Sequence, residues 1–278
     1  MTKEQAVQTL KEDYHLHISY SQIFVYLGCS LRYKFQYMEN RPQERMSVNL
    51  PFGSAIHSAV SRFYETFKSK GTIEPLSILQ DLFEDALTLE LDHSEVPIIF
   101  KKEAPDRDSA ITLGKAMVEA FYKEIDLTGY KVVGVELPLS ARLFTDEGVA
   151  TDLKLAGIID VLLMDENQEL LVVDYKTAAR AKDQTTVDQD LQFSAYSYLI
   201  CAAKYVFPTA PVKCRMDVIR KLKVPKMEFY STVRTAQDRK RFAKIASAVL
   251  RGVEQKVFIP NKSYLCSDCS YFQACKAW

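Results

Sequence analysis

The chain has 278 residues, with 36 Lys and Arg balancing 36 Asp and Glu, so its formal net charge is zero. At 47% hydrophobic and 26% charged it has ordinary globular composition, long enough to bury a sizeable core without staples. Extensive disorder is excluded, and no run approaches the roughly 18 consecutive apolar residues of a membrane span.

The first residues, Met1 to Lys11, are polar and carry no apolar signal core, so a cytoplasmic protein with no membrane partner is expected. No repeat or low-complexity linker interrupts the chain, and residues 1–278 read as one domain. In chain order, Ser19 or Ser21 is placed to cap a short helix through Leu27. A second helix is predicted from near Phe52, because Ile56, Val60, Phe63 and Phe67 recur at helical spacing. Two more, about Leu76–Leu91 and Asp106–Ile125, suggest a helical insertion over residues 74–125. This part of the chain is acidic: from Gly71 to Phe100 there are seven acidic residues and no Lys or Arg.

The pattern then changes. Lys131–Leu139, Leu153–Met164 and Glu169–Lys176 are short and rich in Val, Ile and Leu, as strands are. The last two flank the polar turn Asp165-Glu166-Asn167-Gln168 and read as a hairpin. A helix is expected over Asp188–Tyr205, then strands at Val212–Ile219 and Lys226–Val233. Thr235 with Asp238 resembles a capping box opening a last helix to about Val257. The order predicts an α/β fold, a central mixed sheet flanked by helices. Between Lys213 and Lys244 eleven Lys and Arg face three acids, a local net of +8 and a candidate track for a phosphate backbone.

Candidate chemistry sits at the hairpin. Side chains alternate along a strand, so Asp174 and Lys176 share a face and Tyr175 points away. Hairpin pairing brings Asp160 beside Asp174. Two carboxylates and a lysine suit phosphodiester hydrolysis with Mg²⁺ or Mn²⁺, hard cations that take oxygen ligands, polarise a phosphoryl oxygen and acidify water. The four residues before Asp174, Leu170 to Val173, are all apolar. They mark a strand buried on both faces, where an idle carboxylate would be costly.

Six cysteines in such a chain do not form a disulfide framework. Cys266, Cys269 and Cys275 have ligand-like spacing, and Cys29 would complete a set of four by closing a loop of more than two hundred residues. Thiolates suit zinc or an iron–sulfur cluster, and spacing alone leaves both open. Cys201 and Cys214 are expected to be small buried apolar residues.

Together these residues resemble the PD-(D/E)xK nucleases. Asp160 followed by Asp174-Tyr175-Lys176 looks like the family motif. Gln192-Phe-Ser-Ala-Tyr196, sixteen residues beyond Lys176, looks like the QxxxY motif of the RecB-like branch. Gly53-Ser-Ala-Ile-His57 looks like its GxxxH helix start. The resemblance implies a restriction-endonuclease-like core and a DNA nuclease acting on ends or single strands. It implies a metal held by His57, Asp160, Asp174 and the backbone carbonyl of Tyr175, with Lys176, Gln192 and Tyr196 assisting. Glu136 is left outside this set, as a partly exposed strand residue. His15, His17 and His93 match no motif.

One early cysteine with a C-terminal C-x2-C-x5-C resembles the iron–sulfur nucleases, the AddB nuclease domain and the CRISPR-adaptation nuclease among them. It implies a [4Fe–4S] cluster on Cys29, Cys266, Cys269 and Cys275, joining the N-terminal helix to segment 260–278. The opening Ile18-Ser-Tyr-Ser21 and Tyr26-Leu-Gly-Cys29, with Tyr33-Lys-Phe35 after them, also look like free-standing RecB-family exonucleases. A helicase or a CRISPR integrase is the partner such relatives suggest, since no Walker A pattern supplies a motor. A spacer-processing nuclease and a DNA-end-binding scaffold with little catalysis are the alternative functions.

Overall fold

The computed structural model describes residues 17–145 and 147–278; the polar N-terminus and His15 lie outside them. The centre is a six-stranded mixed sheet. Its spine is β5 (Ala150–Met164), which pairs antiparallel with β4 (Lys131–Phe144) along one edge. On its other edge β5 meets two strands in turn. A short parallel strand, β1 (His17–Ser19), pairs with Lys154 to Ala156. Beyond it, β6 (Leu170–Ala178) pairs antiparallel with Val161 to Met164. Gly157 to Asp160 lie between the two partners, and there the sheet edge opens.

The β5–β6 hairpin closes through the predicted turn. Gln168 takes a positive φ of 62°, and the Asp165 carboxylate accepts from the N–H of Asn167 and Glu169 at 2.9 and 2.8 Å. From β6 the chain crosses over to a parallel strand, β7 (Val212–Arg220), which pairs with antiparallel β8 (Met227–Arg234). A further two-stranded parallel pair, β2 (Met46–Ser47) and β3 (Ile98–Ile99), stands apart.

Helices cover both faces. On one lie α3 (Asn49–Lys70), α4 (Leu76–Asp92) and α5 (Arg107–Glu124). Their buried residues Phe52, Phe63, Phe83 and Phe121 share one core with Val161, Val173 and Tyr175 of the sheet. On the other lie α6 (Gln184–Asp188), α7 (Leu191–Ala202) and α8 (Ala236–Glu254). There Phe193, Ile200, Phe242 and Val249 meet the opposite side of β5 and β7. Beside this layer, α1 (Tyr20–Gly28) and α2 (Ser30–Tyr33), followed by a π-helical turn at Lys34–Met38, pack on the C-terminal segment that ends in α9 (Phe272–Ala277).

The predicted α/β class and central mixed sheet hold. Ser19 caps α1 through a box with Gln22, and Thr235 with Asp238 caps α8. Several bounds differ. The β4–β5 ribbon extends to Phe144↔Ala150, beyond its apolar alternation, because backbone pairing carries it outward. The helix expected over Asp188–Tyr205 is shorter, running as α7 from Leu191 to Ala202, because Asp190 caps it by accepting from Gln192 N–H at 2.8 Å; the short α6 precedes it. β1 carries no strand signal of its own and exists through its pairing with β5. Among the described residues, no helix is long and apolar enough to cross a membrane.

Candidate active site

The cleft opens where β1 and β6 part along β5. It encloses about 770 Å³ and is lined by His57, Glu136, Asp160, Asp174, Lys176, Gln192 and Tyr196. Every residue predicted for the metal-dependent site, Tyr175 included, thus lines this one cleft.

Asp174 faces α7 and is 1% exposed. Its Oδ1 accepts from Gln192 Nε2 at 2.8 Å and from Tyr196 OH at 3.4 Å. Its Oδ2 lies 2.7 Å from Lys176 Nζ. Gln192 and Tyr196 stand one turn apart on α7, and the amide also donates to the phenol at 2.7 Å. Burial pushes the Asp174 carboxyl up to about 6, against the pull of the Lys176 ammonium. Burial works against the charge on Lys176, but Asp174 and Asp160 outweigh it and its pKa rises. The lysine side chain keeps 34% exposure, so its ammonium can meet a substrate while it pairs with Asp174.

Asp160 belongs to the same hairpin. Its Oδ2 accepts from the backbone N–H of Tyr175 at 2.8 Å. His57 comes from α3: Nε2 lies 3.0 Å from the carbonyl oxygen of Tyr175, and Nδ1 lies 3.6 Å from Asp160 Oδ2 and 3.9 Å from Glu136 Oε1. A carbonyl only accepts, so Nε2 carries the proton of the neutral ring. The Nδ1 lone pair then faces the two carboxylates.

The sequence missed Glu136. It is not a partly exposed strand residue but 4% exposed, and it holds a positive φ of 41° inside β4. That conformation is costly for a residue with a Cβ, and it turns the side chain into the cleft. Ser61 of α3 donates to its Oε1 at 2.9 Å. His57, Glu136 and Asp160 each offer a ligand atom within 4.8 Å of the others and could hold a metal ion. Little in the sequence marks it: the register shift of the ribbon falls earlier, between Val132 and Gly134, and β4 pairs with β5 in unbroken register through Glu136. Three buried carboxylates answered by one lysine leave an excess of negative charge that a divalent cation would neutralise. The residues therefore fit such an ion.

The cleft's other wall was also unforeseen. His17 and Tyr20 line it from β1 and the start of α1, and Tyr20 OH reaches Asp190 Oδ1 at 3.4 Å.

Carboxylates from three adjacent strands, with a lysine on β6 and a glutamine–tyrosine helix against it, form an arrangement suited to divalent-metal chemistry on a phosphodiester. The sequence matches the model of the PD-(D/E)XK nuclease superfamily over residues 17–276, and the chain belongs to that superfamily. Its structure is similar to that of a candidate exonuclease from Eubacterium rectale, with a TM-score of 0.56 and 14% identity over 94% of this chain and 89% of that one. A second solved structure, of SSO0001, aligns with a TM-score of 0.39 and 14% identity over 89% of this chain and 94% of that one. No curated protein matches the sequence.

Away from the cleft, Cys29, Cys266, Cys269 and Cys275 line one small cavity of about 100 Å³ with Phe24, Phe35 and Leu265. Backbone N–H groups of Asn261 and Ser263 point at the sulfurs of Cys29 and Cys266, each at 3.4 Å. Cysteines 29, 269 and 266 and burial all hold the Cys275 thiol up, burial most. No three of these sulfurs lie within 4.8 Å of one another. Cys214 is buried as expected, whereas Cys201 is half-buried near the end of α7.

Only part of the basic segment reaches the surface, Lys223, Lys240, Arg241 and Lys244 among it. Arg220, Arg234 and Arg239 are buried, spending their guanidinium groups on Glu228 and on the carbonyls of Ala178, Val187, Asp190, Pro208 and Ala210. Arg215 is paired with Asp217 and Lys213 with Glu169. Charge counted along the sequence therefore overstates what reaches the surface.

Proposed function

We propose that this protein is a Mg²⁺- or Mn²⁺-dependent deoxyribonuclease of the RecB-like branch, cleaving phosphodiester bonds at DNA ends or in single strands. The observation that carries the reading is the convergence of His57, Glu136, Asp160, Asp174 and Lys176 in one cleft. Similarity in fold to a candidate exonuclease is consistent with end-directed cleavage.

His57, Glu136 and Asp160 would hold the cation, with Asp174 beside them. When bound, it polarises the phosphoryl oxygen and lowers the pKa of water. The protein's own part is positional and electrostatic. Gln192 and Tyr196 hold Asp174 in one orientation. Lys176 offers its ammonium to the charge that builds on the phosphate. Tyr196 is driven well above its ordinary pKa, chiefly by burial, so it stays a hydrogen-bond donor. Water attacks phosphorus in line, the 3′ oxygen leaves, and a 5′ phosphate remains. We assign a [4Fe–4S] cluster to Cys29, Cys266, Cys269 and Cys275, where it clips the end of α1 to the C-terminal segment. The reading rests on the resemblance of the cysteine spacing to the iron–sulfur nucleases, and the gathering of the four cysteines around one cavity is consistent with it.

The test is cleavage of end-labelled single- and double-stranded DNA by anaerobically purified protein with Mg²⁺ or Mn²⁺. Cleavage by the wild type and none by Asp174→Asn is expected. Silence from the wild type on every substrate, with the cluster intact, would overturn the catalytic reading.

A further inference from the structure

Behind the site, on the opposite face of β6, lies a buried polar chain that the chemistry above does not use. The Tyr175 ring is fully buried, and its hydroxyl lies 2.5 Å from that of Tyr64. Tyr64 stands seven residues after His57 on α3, two turns along the same side of the helix. On the neighbouring strand Tyr175 is in register with Asp217, itself 0% exposed, whose carboxyl burial pushes up while Arg215 and the Tyr175 hydroxyl draw it down. Arg215 closes the chain with two bonds to Asp217, at 2.6 and 2.8 Å. A buried ion pair capped by two phenols is costly to assemble, and an apolar filling would satisfy the core as well.

Its position gives it a use. The two peptide groups of Tyr175 face the catalytic side: the N–H holds Asp160 and the carbonyl faces His57. Every polar atom of Tyr175 is thus committed. The main chain touches two candidate metal ligands, and the side chain is tied to the helix that carries one of them.

We propose that Tyr175 is a positioning residue, and that the Tyr64–Tyr175–Asp217–Arg215 chain fixes α3 against β6 so that His57 and Asp160 keep their separation. This rests on the metal-dependent reading above and adds to it the groups that set metal affinity from behind the sheet. Such supporting hydrogen bonds typically shift metal affinity or activity by roughly 10–100-fold.

The experiment is Mn²⁺ binding by the full-length protein, cluster intact, followed by electron paramagnetic resonance, with circular dichroism to confirm folding. Tyr175→Phe keeps the ring and removes the hydroxyl, and is expected to weaken Mn²⁺ binding roughly tenfold or more. Tyr64→Phe, which leaves β6 untouched, should weaken it in the same direction, and it carries the test if Tyr175→Phe does not fold. Phe121→Leu is the structural control: its ring packs edge-on against Tyr175 at 5.6 Å, so it should lower thermal stability and leave Mn²⁺ affinity unchanged. Affinities within about twofold of wild type for both phenol variants would overturn the proposal. A wild type that binds Mn²⁺ but cuts no DNA would sink the nuclease reading alone. A wild type that binds no Mn²⁺ would overturn both.

Discussion

Gln192 donates to Asp174 at 2.8 Å, joining the helix that follows the crossover to the strand that precedes it. The bond matters because Asp174 is almost wholly buried, with Lys176 as its only cationic partner on the strand. A hydrogen bond to the charged form of a buried carboxyl lowers its pKa. Gln192→Ala is therefore expected to push the Asp174 pKa above about 6. The acid limb of the pH–rate profile should move to higher pH by roughly one unit, a change of about 1.4 kcal/mol. An unmoved acid limb would detach Gln192 from the ionisation of Asp174.

The same carboxyl makes stability depend on pH. Its pKa is raised from 3.8 to about 6 in the folded chain, so between these values the native state binds more protons than the unfolded one. Stability is full below the lower value and falls as pH rises through the upper. Without metal, Asp174→Asn should therefore be more stable than wild type at pH 7, by an amount on the order of 2–3 kcal/mol, and equal to it near pH 4. Thermal melts across pH would check this. Added Mg²⁺ should narrow the gap by stabilising the wild type, with its extra carboxylate beside the cation, more than the variant.

Glu136→Gln keeps the shape of the side chain and removes its charge. If Glu136 is a metal ligand, cleavage should need roughly 10–100-fold more Mn²⁺. Measuring the rate over a Mn²⁺ series would decide it. A variant that reaches the wild-type rate at the same concentration returns Glu136 to a purely structural part.

Cys29→Ser should remove the broad visible absorption of anaerobically prepared protein and most of its iron. The clip then opens a loop of more than two hundred residues, so the melting temperature should fall as well. Bound zinc in a colourless wild type would contradict the cluster.

Gly114→Ala tests the core over the sheet. Helix propensity alone favours alanine by about 1 kcal/mol. Yet a Cβ at Gly114 would lie 1.8 Å from Cζ of Phe83, a ring that is 0% exposed. Overpacking should win, with a net loss of roughly 1–3 kcal/mol in urea unfolding.

What the sequence determined by itself was local chemistry. The alternation of Asp174, Tyr175 and Lys176, the four-residue step from Gln192 to Tyr196 and the caps at Ser19 and Thr235 are set by strand and helix periods, which are fixed by backbone geometry. The hairpin turn at Asp165 to Gln168 was legible for the same reason. Only the tertiary structure decided the rest. Glu136 entered the site through a positive-φ position that one strand's pattern does not reveal. β1 became a strand because β5 offered it an edge. Arg215, Arg220, Arg234 and Arg239 of the basic segment turned inward because buried carbonyls and carboxylates needed donors, and no local rule counts partners that lie far away in the chain. Tyr175 could be read as pointing away from the site, but that it meets Tyr64 and Asp217 there follows from how α3 and β7 pack, which burial across the whole sheet dictates.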